Sequence, residues 1–150
     1  MLYENKNKLG ISEIRERIRM EKELYGLDFV FVDYLQLVKS FEKTEYERVT
    51  EVSRSLKLIA KEFDVVVIAL SQMNRQADTE KAKSHKDIFL SDLRGSGQIE
   101  QDGSVIIGLL SNPVEPNKDL FKVKILKNRK GASGILEYHY YKANQTFYKK

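Results

Sequence analysis

Two short, continuous apolar runs constrain the fold of this chain more than any other feature. They are Phe29–Val32 and Val65–Leu70, and a long amphipathic stretch separates them. Runs of this kind are typical of strands that are buried on both faces of a parallel sheet. Two such strands joined by a helix form a right-handed crossover, so the sequence predicts an α/β fold with a parallel sheet core.

The connecting helix has the clearest pattern in the chain. Thr44 and Glu47 form a capping box, because the hydroxyl of the first and the carboxylate of the second can each satisfy an orphan backbone amide. An earlier helix is predicted over Ser12–Tyr25, with Ser12 as its cap and Gly26 as its stop. The apolar stripe of the connecting helix consists of Tyr46, Val49, Val52, Leu56, Ile59, Ala60 and Phe63.

The last third of the chain predicts antiparallel strands. Ser104–Leu110 is a third apolar strand, and Leu120–Lys127 alternates between apolar residues and lysines, as a half-buried strand does. Ile135–Tyr141 and Thr146–Tyr148 complete the antiparallel set, with turns between them. No linker or repeat interrupts residues 1–150, so we expect one unit that is parallel first and antiparallel at its end.

Composition excludes several classes of protein. A net charge of +4 permits nucleic-acid binding but is too small to argue for it, and 41% hydrophobic residues suffice for a core. The absence of Cys and the presence of only two His exclude a disulfide framework, a thiolate zinc site and a multi-histidine metal site. The sequence has neither a membrane-spanning apolar run nor the apolar core of a signal peptide. We therefore expect a soluble, cytoplasmic protein.

Polar side chains end both of the predicted parallel strands. Asp33 ends the first, where a carboxylate can hold a magnesium ion through water beside a nucleotide phosphate, or can equally cap a loop. Gln72 ends the second, where its amide can sense a terminal phosphate or orient a water. Alone, Gln72 fits a loop amide bonded to backbone better. Together, at the ends of neighbouring strands, the two residues predict a nucleotide site.

A glycine-containing segment after the long polar loop Asn74–Lys86 could contact phosphates. Gly95 and Gly97 leave backbone amides open to a close approach, and Arg94 adds a positive charge. Without other support, the same pattern fits a helix that starts at Ser91 and is interrupted by a glycine turn.

Two cations near the end of a strand form another candidate phosphate contact. Lys127 and Arg129 lie where a strand runs into the turn Gly131–Gly134, so they suit a phosphate on a neighbouring molecule. On pattern alone, a basic hairpin tip fits slightly better.

The sequence also lacks part of what nucleotide hydrolysis needs. No Gly-x-x-x-x-Gly-Lys-Ser/Thr phosphate loop occurs, and Tyr34 rather than a glutamate follows Asp33. No nucleophile–base arrangement stands out. The residues alone therefore identify no catalytic base.

Five segments share their order and spacing with one known family. They are Ile11–Arg15, Asp33–Leu37, Ala69–Arg75, Asp92–Asp102 and Lys127–Gly131. Together they resemble the C-terminal motor domain of DnaB-type replicative DNA helicases, and the match covers nearly the whole chain. The resemblance implies a partial RecA-like three-layer α/β fold, with a parallel sheet core and a C-terminal antiparallel hairpin.

The resemblance also implies roles for the nucleotide-site candidates. Asp33 is similar to the Walker B aspartate that positions magnesium. Gln72 is similar to the glutamine that links the γ-phosphate of ATP to the DNA-binding loops. Arg129 is similar to the arginine finger supplied to the ATP of the neighbouring subunit, with Lys127 beside it.

The implied activity is ATP-dependent unwinding of DNA by a ring of identical subunits, expected to be a hexamer. Arg94, Gly95 and Gly97 fall in the loop that holds the phosphate backbone of single-stranded DNA. ATP and Mg²⁺ are the implied cofactors, and single-stranded DNA, primase and a helicase loader are the implied partners.

The chain departs from the family in sequence and in length. Gly95 stands where the family usually has glutamate, Gly103 and Ser104 stand where it usually has Ala-Asp, and Lys130 stands where Asn is frequent. These changes suggest a divergent, phage-borne or mobile-element relative. The family's P-loop, catalytic glutamate and N-terminal collar are expected upstream of residue 1, since Glu4 is too near the first helix to be that glutamate.

Two other hypotheses stay open at this point. One is a RecA-like remnant that hydrolyses nothing and acts as a module binding DNA or an intact helicase. The other is a recombinase-like or other RecA-fold ATPase, against which the segment Asp92–Gly97 argues.

Overall fold

A computed structural model describes residues 9–73, 88–93, 96–111 and 120–149. These residues belong to two compact units, one within Met1–Gln72 and Arg94–Asp102, the other within Met73–Leu93 and Gly103–Lys150. The predicted polar loop at 74–86 lies outside the described residues. The assignment of residues 1–150 to part of a single motor domain stays a prediction.

The first unit contains the predicted parallel crossover. Its two strands pair in parallel, from Phe29 opposite Val66 to Val32 opposite Ala69. A long helix connects them, so the crossover predicted from the two apolar runs is confirmed. The elements are α1 (Ile11–Tyr25), β1 (Phe29–Val32), a 3₁₀ turn (Leu35–Leu37), α2 (Glu45–Glu62), β2 (Val66–Ala69) and α3 (Ser96–Asp102).

The capping box of α2 is present as predicted. The Glu47 amide donates to Thr44 Oγ1 at 3.2 Å, and the Thr44 amide donates to Glu47 Oε2 at 3.1 Å. The hydrogen bonds from the Thr44 hydroxyl and from its amide lower the pKa of the Glu47 carboxyl. The helix start is therefore fixed by its own sequence.

The first helix begins differently from the prediction. Its N-cap is Gly10, whose amide donates to Glu13 Oε2 at 2.7 Å, so the assignment of Ser12 as the cap was wrong. The acidic side chain three residues after Gly10 satisfies the orphan amide, which Ser12 is too late in the chain to do. The helix ends as predicted at Gly26, which has a φ of +73° and donates its amide to the Lys22 carbonyl at 3.2 Å.

The core of the first unit lies against the apolar face of α2. Tyr46 is 60% exposed, so its inclusion in the buried stripe was wrong: it lies in the first turn, before α2 reaches the core. Burial of this face supplies most of the stability that a helix of this length needs. The buried residues of the cluster are Ile18, Leu35, Val38, Val49, Val52, Leu56 and Ile59.

The two parallel strands are covered on one face only within the described residues. Val30 and Val32 pack against the core, whereas Phe29 is 57% and Phe31 is 73% exposed. Successive side chains of a strand point to opposite faces, so α1 and α2 cover only alternate residues. The prediction of strands buried on both faces is thus wrong for this chain.

The second unit is a four-stranded antiparallel sheet. Its strands pair in the order β3-β4-β5-β6, so β3 joins the predicted hairpin and makes the antiparallel part larger than expected. Gly108 in β3 is buried, and a Cβ there would lie 2.8 Å from Ile88 Cδ1, so only glycine admits that side chain. The strands are β3 (Val105–Ser111), β4 (Leu120–Asn128), β5 (Gly134–Tyr141) and β6 (Thr146–Lys149).

The fold class predicted from the sequence is confirmed. Parallel strands come first along the chain, and antiparallel strands complete it. Within the described parts of the chain, no helix is long and apolar enough to cross a bilayer.

A buried hydrogen bond joins α2 to α3, and its removal should lower stability. Ser53 is buried and donates from Oγ to Asp102 Oδ2 at 2.8 Å. Ser53→Ala should cost about 1–2 kcal/mol, because the Asp102 carboxylate loses a partner in a partly buried site. Urea unfolding followed by helical circular dichroism measures the change.

Thr50 offers a matched control on the same helix. Its Oγ1 is buried and has no hydrogen-bond partner among the described residues. Thr50→Val removes an unsatisfied hydroxyl at nearly constant volume, so it should leave stability unchanged or raise it. Equal losses in the two variants would show that the Ser53 hydrogen bond contributes nothing.

Candidate functional site

The carboxyl ends of β1 and β2 lie at one edge of the parallel pair. Asp33 directly follows Val32, which pairs with Ala69, and Gln72 lies three residues beyond Ala69. Both side chains are exposed. The parallel register thus brings a carboxylate and an amide, both predicted from the sequence, to the edge where ligands of parallel sheets bind.

The segment after β1 is hydrogen-bonded to the segment after β2. The Leu35 amide donates to the Leu70 carbonyl at 2.9 Å. Gln36 Nε2 donates to Ser71 Oγ at 3.2 Å and to the Gln72 carbonyl at 3.4 Å, and Gln36 Oε1 accepts from the Gln72 amide at 3.4 Å. Gln36 therefore holds both polar groups of the Gln72 backbone and leaves the Gln72 side chain exposed.

The chemistry of this edge suits a magnesium–phosphate ligand better than a bare metal. Among the described residues, no group of three or more His, Cys, Asp or Glu could hold a metal ion. A single exposed carboxylate, Asp33, fits an ion that keeps most of its waters and shares phosphate oxygens, as Mg²⁺ does. A neighbouring amide such as Gln72 can donate to a phosphate oxygen.

The segment predicted to bind DNA is described only in part. Arg94 and Gly95 lie outside the described residues. Gly97 lies inside α3, is exposed, and has nothing within 4 Å of the position a Cβ would take. The predicted interruption of the helix at Gly97 was wrong, because α3 continues through it to Asp102. The helix predicted to begin at Ser91 is instead a 3₁₀ turn over Leu90–Asp92.

The far end of α3 is attached to α2. Asp102 Oδ2 accepts from Ser53 Oγ and from Gln98 Nε2, the latter at 3.0 Å. The chain thus enters α3 just after Arg94 and Gly95, and the helix is anchored at its other end. The backbone amide of Gly97 therefore lies in a helix with a fixed attachment.

The two candidate cations lie together in the second unit. Lys127 is half-buried in β4, and Arg129 is exposed and follows Asn128, the last residue of that strand. The Arg129 amide donates to the Ser104 carbonyl at 3.0 Å. The roles of both cations in nucleotide binding stay predictions.

Sequence reasoning missed two side chains that hold these positions. Gln36 is a polar residue between Leu35 and Leu37, and that interruption of an apolar segment was the available signal. Asn128 makes two hydrogen bonds across the turn that carries Arg129. An asparagine at a strand end three residues before a glycine is a turn signal, which could have drawn attention to it.

Comparison with protein families decides the relationship. The family model of the DnaB-like helicase C-terminal domain matches residues 1–149. The chain belongs to this family. The resemblance carried by the five sequence motifs is thereby confirmed.

Several replicative helicases are similar to this DnaB-like domain. The replicative DNA helicase DnaB of Geobacillus stearothermophilus is 35% identical over 146 residues, which are 93% of this chain and 32% of that protein. DnaB of Rickettsia prowazekii is 43% identical over 101 residues, which are 66% of this chain and 20% of that protein. The chain thus spans about a third or less of the length of these relatives.

Solved structures of DnaB-like helicases have the same fold. One of them, an ATPase domain, superimposes with a TM-score of 0.83 at 32% identity, covering 97% of this chain and 53% of that one. A DnaB-like replicative helicase, solved in a study of its interactions with primase, gives a TM-score of 0.81 at 32% identity. It covers 96% of this chain and 36% of that one. The fold is therefore that of RecA-like helicase ATPase domains.

Proposed function

We propose that this domain is the C-terminal part of an ATP-dependent, hexameric replicative DNA helicase that translocates on single-stranded DNA and unwinds duplex in the cytoplasm. Membership of the DnaB-like helicase C-terminal domain family supports the helicase role. The relatives named replicative DNA helicases support the replicative context.

The edge formed by the ends of β1 and β2 is the observation that carries the proposal. Asp33 holds Mg²⁺ through water, and the magnesium neutralises charge on the phosphates of ATP. Gln72 donates its side-chain amide to the γ-phosphate. Because Gln36 bonds both the amide and the carbonyl of Gln72, the sensing side chain projects from a fixed backbone. Such preorganisation favours detection of a single phosphate.

The cations after β4 act on the ATP of a neighbouring subunit. Arg129 is exposed at the end of a strand, as a residue that reaches another protein must be. Its guanidinium stabilises charge that develops on the transferred phosphoryl group, and Lys127 assists by binding the same nucleotide. This arrangement requires identical subunits in a ring.

The segment Arg94–Gly97 grips single-stranded DNA through its phosphates. A helicase must pass any sequence, so contacts to the backbone serve better than contacts to bases. Arg94 supplies charge, and Gly95 and Gly97 leave main-chain amides open; space beside Gly97 is free in α3. Primase and a helicase loader are the further partners proposed, and a similar DnaB-like helicase has been solved with its interactions with primase in view.

Substitution of Arg94 tests the DNA contact. In the full-length helicase, Arg94→Ala should weaken single-strand binding about equally for all sequences and reduce the slope of log K against log salt by roughly 0.7 per lost phosphate contact. Fluorescence anisotropy with labelled oligonucleotides over a salt series measures both quantities. Several oligonucleotide sequences separate phosphate contacts from base contacts.

Arg19→Ala is the matched control, because Arg19 lies on α1 and its guanidinium pairs with Glu16 and Glu23. The control should keep the parental affinity and salt slope. If Arg94→Ala also keeps both, Arg94 does not bind DNA. Loss of DNA binding without any ATP turnover in the parental protein would instead support the alternative, an ATPase-inactive module that binds DNA.

A further inference from the structure

The turn after β4 is closed by a single side chain. Asn128 Oδ1 accepts from the Lys130 amide at 3.3 Å, and Asn128 Nδ2 donates to the Ala132 carbonyl at 3.3 Å. The side chain thus spans the turn on both sides of its bend. Arg129 is the residue enclosed between the asparagine and the first of these bonds.

The backbone of Arg129 is also tied to the neighbouring strand. Its amide donates to the Ser104 carbonyl at 3.0 Å, and the residue before it, Asn128, pairs with Val105 of β3. The peptide groups flanking Arg129 are therefore held from the β3 side by main-chain bonds and from the turn side by Asn128. Few degrees of freedom remain at the Cα from which the guanidinium projects.

Gly131 makes room for this closure. A Cβ at Gly131 would lie 2.6 Å from Asn128 Nδ2, closer than side chains tolerate. Among the described glycines only Gly26 has a positive φ, so Gly131 is needed here for space and not for backbone conformation. A larger residue at this position would push the Asn128 amide away from the turn.

We propose that Asn128 is a positioning residue for Arg129, with Gly131 as the residue that admits it. The inference rests on the proposed role of Arg129 as an arginine finger. A finger acts only when its guanidinium reaches the developing charge on the nucleotide, and misplacement of a catalytic group by about 1 Å can cost on the order of 100-fold in rate. Asn128 prevents that misplacement by fixing the turn.

Three variants of the full-length helicase test the role of Asn128. Asn128→Ala loses both bonds and should lower kcat for ATP by tenfold to about 100-fold while leaving KM for ATP within about twofold. Asn128→Ser should recover most of the rate, since its hydroxyl can still accept the Lys130 amide without adding charge. Asn144→Ala, in the β5–β6 turn at the opposite end of β5, should match the parent.

A double-mutant cycle with Gly131 supplies a second, independent measurement. Gly131→Ala alone should lower kcat as much as Asn128→Ala, because it displaces the same side chain. In the Asn128→Ala background, Gly131→Ala should add little, since the obstructing amide is gone. Hydrogen exchange of the Lys130 amide should be faster in both single variants.

The outcomes separate this inference from the proposed function. Parental kcat in Arg129→Ala would overturn the arginine finger and the positioning role with it. A large loss in Arg129→Ala together with parental kcat in Asn128→Ala overturns the positioning role alone. Additive losses in the cycle, or a fall in kcat for Asn128→Ala that Asn128→Ser does not reverse, also contradict it.

Discussion

Arg129→Ala in the full-length helicase should lower ATP hydrolysis by about a thousand-fold or more while leaving ATP binding unchanged. The reason is that a finger stabilises charge present only in the transition state, so its loss affects kcat and not the ground-state complex. Steady-state phosphate release measures kcat, and equilibrium binding of a fluorescent ATP analogue measures affinity.

Mixed rings distinguish a finger that acts between subunits from a residue that acts within its own subunit. Asp33→Ala removes the magnesium ligand of one site but leaves its Arg129 able to serve a neighbour. Mixing the Arg129→Ala and Asp33→Ala proteins should therefore restore part of the activity. Without such complementation, Arg129 acts in its own subunit or has a structural role.

Lys130→Ala is the matched control for loss of positive charge on the same turn. Lys130 is exposed, and its contact with Asn128 uses the backbone amide, which the substitution retains. The variant should keep parental turnover within a few-fold. A thousand-fold loss here would mean that charge on the turn, and not a specific guanidinium, matters.

The 150-residue chain by itself should give no ATP turnover. Hydrolysis needs the β- and γ-phosphates cradled and a catalytic base, and the sequence has neither a Gly-x-x-x-x-Gly-Lys-Ser/Thr segment nor an identifiable base. Asp33 and Gln72 cannot hold a nucleotide tightly without them. Phosphate release by the purified chain should equal the buffer blank at every ATP concentration.

The full-length helicase, assayed beside the chain, is the positive control. Contaminating ATPase activity is the main source of error, and Asp33→Ala in the chain identifies it, because contaminants are unaffected by that change. Turnover by the chain that disappears in Asp33→Ala would overturn the prediction. It would also mean that this domain cradles phosphates by residues other than a P-loop.

Features that depend on neighbouring residues in the chain could be predicted from the sequence. The capping box of Thr44 and Glu47 needs only four consecutive residues, and the buried face of α2 follows from helical spacing. The parallel pairing of β1 and β2 followed from two apolar runs and the helix between them. Local chemistry determines each of these elements.

Features that depend on distant partners could not be predicted. The bonds from Gln36 join residues 35 and 36 positions apart, so they exist only once β1 and β2 are in register. The exposure of Phe29 and Phe31 depends on which elements cover a face, and a run of apolar letters does not specify that. The nucleotide and DNA roles come from the family resemblance, since polar residues at strand ends have several chemical uses.

The uncovered face of the parallel pair affects how the domain behaves as a separate polypeptide. Phe29, Phe31, Val66 and Ile68 are between 40% and 73% exposed. Two strands alone are marginal in water, and contiguous apolar surface promotes self-association. Concentrated solutions of this domain will be colloidally unstable, and polar replacements at Phe29 and Phe31 are the direct remedy.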